Sequence, residues 1–263
     1  MTASAALAAA APVPLRTLWS AFLRSLFIQA TWNRRGMQNL GFAYAIEPAL
    51  EALYPDPVRR EEALRRHMGF FNSHPYMAAA ILGGAIHHEE RVAAGREPPE
   101  AAVHYKQTLQ GPLAAIGDGF FWTALRPFFG ALGAVGALLF GLWAVVAVVV
   151  VYNLVHLTLR IGLFRAGYLR GDALVPAIAR LSLPLAADRL RTGGAALAGV
   201  AAGVMMFRGL SAGGAAVGLF VALVAILGYA ALTRGTRLFP TIYVAAAAGT
   251  SAAALLAHLQ GSH

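Results

Sequence analysis

Three sets of polar residues stand in apolar surroundings, and each is of a type that can do chemistry. Asp118 is flanked by Leu113-Ala-Ala-Ile116 and by Phe120-Phe-Trp122. A carboxylate at membrane depth costs about 2.5–3.5 kcal/mol on insertion scales, which makes it a functional candidate by default. It could hydrogen-bond a polyhydroxyl ligand or a gating stretch of backbone. Arg126 lies two turns beyond it with Trp122 midway, so a structural Asp118–Arg126 pair or a capped helix break fits as well. The second set is Asn72-Ser73-His74-Pro75-Tyr76. Asn and Ser ahead of a Pro-containing apolar segment can cap a half-helix whose N-terminal amides face a ligand, although an ordinary helix start reads the same way. The third is Asn153 with His156, where a satisfied interior histidine is the commoner outcome. His87-His88-Glu89-Glu90 lacks the His-Glu-x-x-His spacing and puts adjacent histidines on different helix faces. No metal site, cofactor site, P-loop, Gly-x-Ser-x-Gly or dinucleotide fingerprint is expected.

The elements that position these residues follow from charge. The chain has 263 residues, 58% hydrophobic and 13% charged, with mean hydropathy +0.61. A typical soluble domain carries about 25% charged residues. No Asp, Glu, Lys or Arg falls between Arg126 and Arg160, and none follows Arg237. This excludes a soluble enzyme, a disordered tail protein and a small secreted module, and leaves an integral membrane protein. The net charge of +9 is not a nucleic-acid signature. Residues 127–263 hold nine Arg against Asp172 and Asp188, in short connections between apolar segments, where cytoplasmic loops carry positive charge. Without cysteine there is no disulfide and no thiol chemistry.

Residues 1–14 read as a disordered Ala/Pro tail, and 15–263 as a single membrane domain. Within that domain, 15–126 forms an amphipathic and re-entrant part and 127–263 the transmembrane helices. Leu18, Trp19, Phe22, Leu23, Leu26, Phe27 and Ala30 make an apolar stripe opposite Arg16, Ser20 and Arg24. Such a helix suits the membrane interface or a partner subunit. Asp56 and Pro57 open a solvated helix with Glu61/Arg65 and Glu62/Arg66 pairs. Tyr76–Ile86 and Leu109–Trp122 are apolar but too short to span, the second interrupted at Gly111-Pro112 and Gly117-Asp118-Gly119. Short interrupted segments of this kind announce transporter binding sites. His87–Lys106 between them reads as a solvated connection. Phe128–Val151 is long enough to span, 160–191 carries six Arg on the cytoplasmic side, and 194–207, 215–232 and 240–259 are three further passages. The fold class is therefore an all-α integral membrane protein with amphipathic N-terminal helices, re-entrant or broken helices and several transmembrane helices.

Four stretches taken together resemble one family. They are Trp32-Asn33-Arg-Arg-Gly-Met37-Gln38-Asn39-Leu40-Gly41-Phe42-Ala-Tyr44-Ala-Ile-Glu47-Pro48; Phe70-Phe71-Asn72-Ser73-His74-Pro75-Tyr76-Met77; Gln110-Gly111-Pro112 through Asp118 to Trp122, running into Leu125-Arg126-Pro127; and Tyr152-Asn153-Leu-Val-His156 with Gly167-Tyr168. They resemble the IID membrane subunit of the mannose/fructose/sorbose family of the bacterial phosphotransferase system (PTS). The resemblance implies a multi-pass protein of the inner (cytoplasmic) membrane that pairs with a IIC subunit as a hetero-oligomer. That complex translocates a hexose while cytoplasmic IIA and IIB parts, carrying phosphohistidines, phosphorylate it. The isolated IID chain is then not itself an enzyme and binds no nucleic acid. The resemblance also implies that His67, His74 and His156 are not phosphorylated, and that translocation proceeds by alternating access. The candidate substrate-binding or gating residues are Asp118, Asn72, His74, Gln38, Asn39, Glu47, Trp122, Arg126, Asn153 and His156. Arg34-Arg35-Gly36 stands where the family usually has an aromatic and an acidic residue. This departure motivates the alternative of an orphan IID-like protein with a regulatory or scaffold role and no sugar flux.

Overall fold

The structure, a computed structural model, describes residues 12–213 together with Ile226. Among these, one compact unit comprises residues 12–130 and 145–194, and a second comprises residues 131–144 and 195–213. The described regular structure is helical: α1 (Leu15–Ser25), α2 (Asn39–Leu53), α3 (Pro57–His67), α4 (Ala78–Ala93), α5 (Glu100–Gly117), a π-helical segment (Asp118–Leu125), α6 (Arg126–Phe140), α7 (Leu142–Arg170), α8 (Leu174–Ala179) and α9 (Leu183–Gly213).

The axis of the first unit is α4. Its residues from Ala78 to Ile86 are all buried, which explains an apolar run too short to cross a bilayer as a core helix packed on α2 and α5. Against α7 the packing is backbone to backbone. A Cβ on Gly83 would lie 2.2 Å from the Phe164 carbonyl oxygen, and one on Gly167 would lie 2.0 Å from that of Ala80. Small residues allow this approach, as at membrane helix crossings. On α1, Leu18, Ala21 and Phe22 are buried, with Phe22 edge-on to Phe164 at 5.7 Å. Trp19, Leu23 and Phe27 are left exposed. Val13, inside the segment read as a tail, is buried, and its N–H donates to Glu90.

Four sequence expectations require correction. The 87–106 stretch is a solvated connection only around 95–100: α4 continues to Ala93, and His88, Glu89 and Lys106 are all buried. Polar composition was a poor guide because these side chains find partners inside the unit: Glu89 bonds Arg66, His67 and Tyr54, His88 bonds Glu97, and Lys106 donates to the His67 carbonyl. Phe128–Val151 is not one helix. Gly141, with φ +75°, ends α6, and α7 then runs 29 residues. Arg160 does not belong to a loop but is buried on α7. Pro112 sits inside α5 without ending it, and the helix continues without a break through the π-helical turns of 118–125, so Leu109–Trp122 is not an isolated short segment but part of a longer helix. Two continuous helical stretches, Glu100–Phe140 and Leu142–Ala179, are long and apolar enough to cross a membrane. The 194–207 passage lies inside α9, and the passages 215–232 and 240–259 lie outside the described residues.

Candidate functional site

Packing of the 68–77 loop against the π-helical segment and α7 builds a polar–aromatic cluster in the first unit. The loop is held from below by the Gln38-Asn39 pair. Gln38 is buried, and its amide clamps the Ser73 backbone, donating to the carbonyl at 2.9 Å and accepting from the N–H at 3.1 Å. Its own N–H donates to the Phe71 carbonyl at 2.8 Å. Asn39 donates to the Met68 carbonyl at 2.7 Å and accepts from Asn33 at 3.0 Å. Asn33 in turn accepts from the N–H groups of Arg35 and Gly36. Buried backbone groups need such partners, so Asn33, Gln38 and Asn39 form one network that fixes the loop.

A second network lies beneath it. Glu89 on α4 is fully buried and accepts hydrogen bonds from Arg66 (2.8 and 2.7 Å), His67 (2.8 Å) and Tyr54 (2.7 Å). Burial alone would raise its carboxyl, but the bonds from Arg66 and His67 outweigh it and hold the pKa at about 2. Burial lowers the pKa of His67, so a neutral imidazole donates to Glu89. The Lys106 ammonium is buried, donates to the His67 carbonyl at 2.9 Å, and lies 5.0 Å from the Phe42 ring centroid. This network ties α2, α3, α4 and α5 together where the loop begins.

What the two networks present is His74. Its ring stacks on Phe121 (5.0 Å, 15°) and contacts Tyr76 and Trp122, each at 5.1 Å. Close behind is Gly117, where a Cβ would lie 2.3 Å from that of His74. Tyr76 stacks on His156 (4.6 Å, 22°), approaches the Tyr152 hydroxyl at 3.4 Å, and lies beneath the Arg160 guanidinium at 5.7 Å. Desolvation, with a smaller push from Arg160, holds the His74 imidazole neutral at about 4. Since Nδ1 accepts the Tyr76 N–H at 3.2 Å, the proton sits on Nε2. That atom is buried and has no hydrogen-bond acceptor among the described residues. It is a donor in search of an oxygen.

The wall opposite the loop is the π-helical segment. Wider helical turns are rare and are found disproportionately at functional sites. The Gly119 carbonyl receives Thr123 Oγ1 at 2.7 Å and the Arg191 guanidinium at 3.0 Å. Arg191 also donates to Thr123 Oγ1 at 3.0 Å.

Of the residues singled out from sequence, His74, Trp122 and His156 meet in the cluster, and Gln38 and Asn39 support it from the loop side. Asn72 accompanies them in part: its side chain is exposed, while its N–H donates to Gln110 at 3.0 Å. Arg126 is exposed and stacks over Trp122 at 5.0 Å. Asp118 opens the π-helical segment but is exposed and makes no side-chain hydrogen bond among the described residues, so no Asp118–Arg126 pair forms. Glu47 pairs with Arg24 at 2.6 Å. Asn153 is exposed and donates to the Val149 carbonyl of its own helix at 2.8 Å. Phe121, Tyr152 and Arg160 were missed. Tyr152, His156 and Arg160 recur every four residues, one face of α7, and that polar stripe in an apolar helix was the available signal.

A family model described as the PTS system mannose/fructose/sorbose family IID component matches residues 13–206. The chain is 42% identical over 156 residues to the PTS system mannose-specific EIID component of Escherichia coli K12, covering 59% of this chain and 55% of that protein. It is 33% identical over 157 residues to the fructose permease IID component of Bacillus subtilis 168, covering 59% and 57%. The chain thus spans about half the length of the curated relatives it matches. Among solved structures, it resembles a chain of the mannose transporter ManYZ in complex with microcin E492, with TM-score 0.58 and 28% identity over 92% of this chain and 97% of that one. A chain described only as a membrane protein gives TM-score 0.65 and 34% identity over 73% and 71%. With the family model covering residues 13–206 and the motifs on this site, the chain belongs to the PTS mannose/fructose/sorbose family of IID components.

Proposed function

We propose that this chain is the IID subunit of a hexose permease in the cytoplasmic membrane, paired with a IIC subunit. Cytoplasmic IIA and IIB proteins phosphorylate the sugar as it is delivered, and this chain contributes binding and gating instead of phosphoryl chemistry. Family membership and the likeness to a ManYZ chain support the reading.

The observation that carries the site assignment is the buried Nε2–H of His74, unpaired among the described residues and set among Phe121, Trp122 and Tyr76. A sugar offers hydroxyl oxygens to such a donor and C–H faces to such rings. A neutral imidazole also fits a neutral substrate better than a charge would. Gln38, Asn39 and Asn72 position the loop, while the π-helical segment supplies the wall that moves as access alternates. Asp118, exposed at the start of that segment, and Arg126, exposed at the start of α6, reach the sugar or the IIC subunit in the assembled complex.

The test is uptake of labelled mannose, fructose and sorbose in cells that hold every other component. His74→Ala is expected to cut uptake more than tenfold while the IIC partner still co-purifies. Wild-type uptake by His74→Ala would remove the cluster from the pathway.

A further inference from the structure

A groove of about 250 Å³ runs between α1 and the C-terminal half of α7, lined chiefly by Leu18, Trp19, Phe22, Phe164 and Tyr168, with Arg165 on its wall. The lining is apolar except for Arg165 and the tip of Tyr168, whose hydroxyl is already committed to Glu90 at 2.6 Å. Arg165 is exposed and forms no ion pair or hydrogen bond among the described residues. We infer that this groove is a binding site for one acyl chain of an anionic phospholipid, with Arg165 holding the headgroup phosphate.

The chemistry of the lining chooses the occupant. An extended peptide would bring backbone N–H and C=O groups that this apolar lining leaves unpaired, which is not tolerated at membrane depth. A hydrocarbon chain brings no such groups. It gains little from leaving the bilayer for the groove, since both are apolar, so selection falls on the headgroup. A guanidinium recognises phosphate in a fork geometry, and the exposed Arg170, Arg180, Arg189 and Arg191 that follow it assign this end of α7 to the leaflet that carries anionic lipids. Trp19 and Tyr168 are the residue types that settle at this depth. The seat would anchor α1, whose Trp19 and Leu23 are exposed, against the helix that carries Tyr152, His156 and Arg160.

The test uses the full chain co-purified with its membrane partner in mild detergent, read by native mass spectrometry with phosphatidylglycerol or phosphatidylcholine added. Wild type is expected to retain one phosphatidylglycerol in preference to phosphatidylcholine. Arg165→Gln should lower that preference about fivefold, the factor that one basic residue contributes at an anionic surface. Ile161→Trp, which fills the groove, should abolish the bound lipid. Unchanged preference in Arg165→Gln, or unchanged lipid in Ile161→Trp, overturns the assignment. So does photo-crosslinking from position 19 that captures a protein chain and no lipid. Unaltered melting of Arg165→Gln separates loss of the site from loss of the fold.

Discussion

Replacing Glu89 by Gln keeps the shape of the buried side chain and removes its charge. Glu89 is fully buried and receives four hydrogen bonds from Arg66, His67 and Tyr54. Its pKa falls from 4.5 to about 2 on folding, because the bonds from Arg66 and His67 overcome the opposing effect of burial. At 1.36 kcal/mol per unit, that depression is worth about 3 kcal/mol of stability at neutral pH. The stabilisation is complete above the unfolded value near 4.5 and is lost as pH falls toward 2. Glu89→Gln should therefore lower the melting temperature of the detergent-solubilised complex by about 6–12 °C at pH 7, given about 2–4 °C per kcal/mol for chains of this size. The assay is intrinsic-fluorescence melting from pH 7 down to pH 3, and the wild-type advantage should shrink below about pH 4.5. A variant that melts with wild type at pH 7, or a gap that stays constant down to pH 3, would refute the assignment of Glu89 as the ionised centre of this network.

Three further outcomes follow from particular contacts. Gly167→Val must push α7 off α4, because its Cβ would meet the Ala80 carbonyl at 2.0 Å; it should abolish extraction of a folded complex, while Gly130→Val, with open space around it, should extract normally. Gln38→Ala leaves the buried Ser73 N–H and carbonyl without the partners they have now, at about 1–3 kcal/mol for each group left unsatisfied, and should appear as a lower melting temperature together with reduced uptake. Asp118→Asn and Asn72→Ala should each abolish sugar uptake with the complex intact, read by labelled-sugar accumulation and IIC co-purification. Normal uptake in both would confine the site to the His74 cluster.

The class of fold was legible because charge is so sparse after Arg126, and the helix start at Asp56-Pro57 was legible from local rules, with Asp56 accepting the Val58 N–H. Glu61/Arg65 pairs as its spacing requires. Glu62/Arg66 does not, because Arg66 is drawn to Glu89, 23 residues away. No local pattern encodes that choice. The same blindness turned α4 into a short membrane segment followed by a polar loop, since hydropathy scores each residue singly and a buried ion network cancels its own cost. At the site, the Asn72–Tyr76 stretch and Trp122 were found by composition. Their grouping with Phe121, Tyr152 and Arg160 depends on a crossing set by Gly83 and Gly167, which periodicity on one helix does not reveal. Asp118 drew attention as a charge among apolar residues, and the fold leaves it on the surface of the chain.

The central claim is that this chain is a required subunit of a sugar-translocating complex. The direct measurement is uptake and phosphorylation of a hexose panel in cells or vesicles containing the IIA, IIB and IIC components, with and without this chain. Uptake coupled to phosphorylation of at least one hexose only when the chain is present is the predicted result. Equal uptake and phosphorylation in its absence would contradict the account.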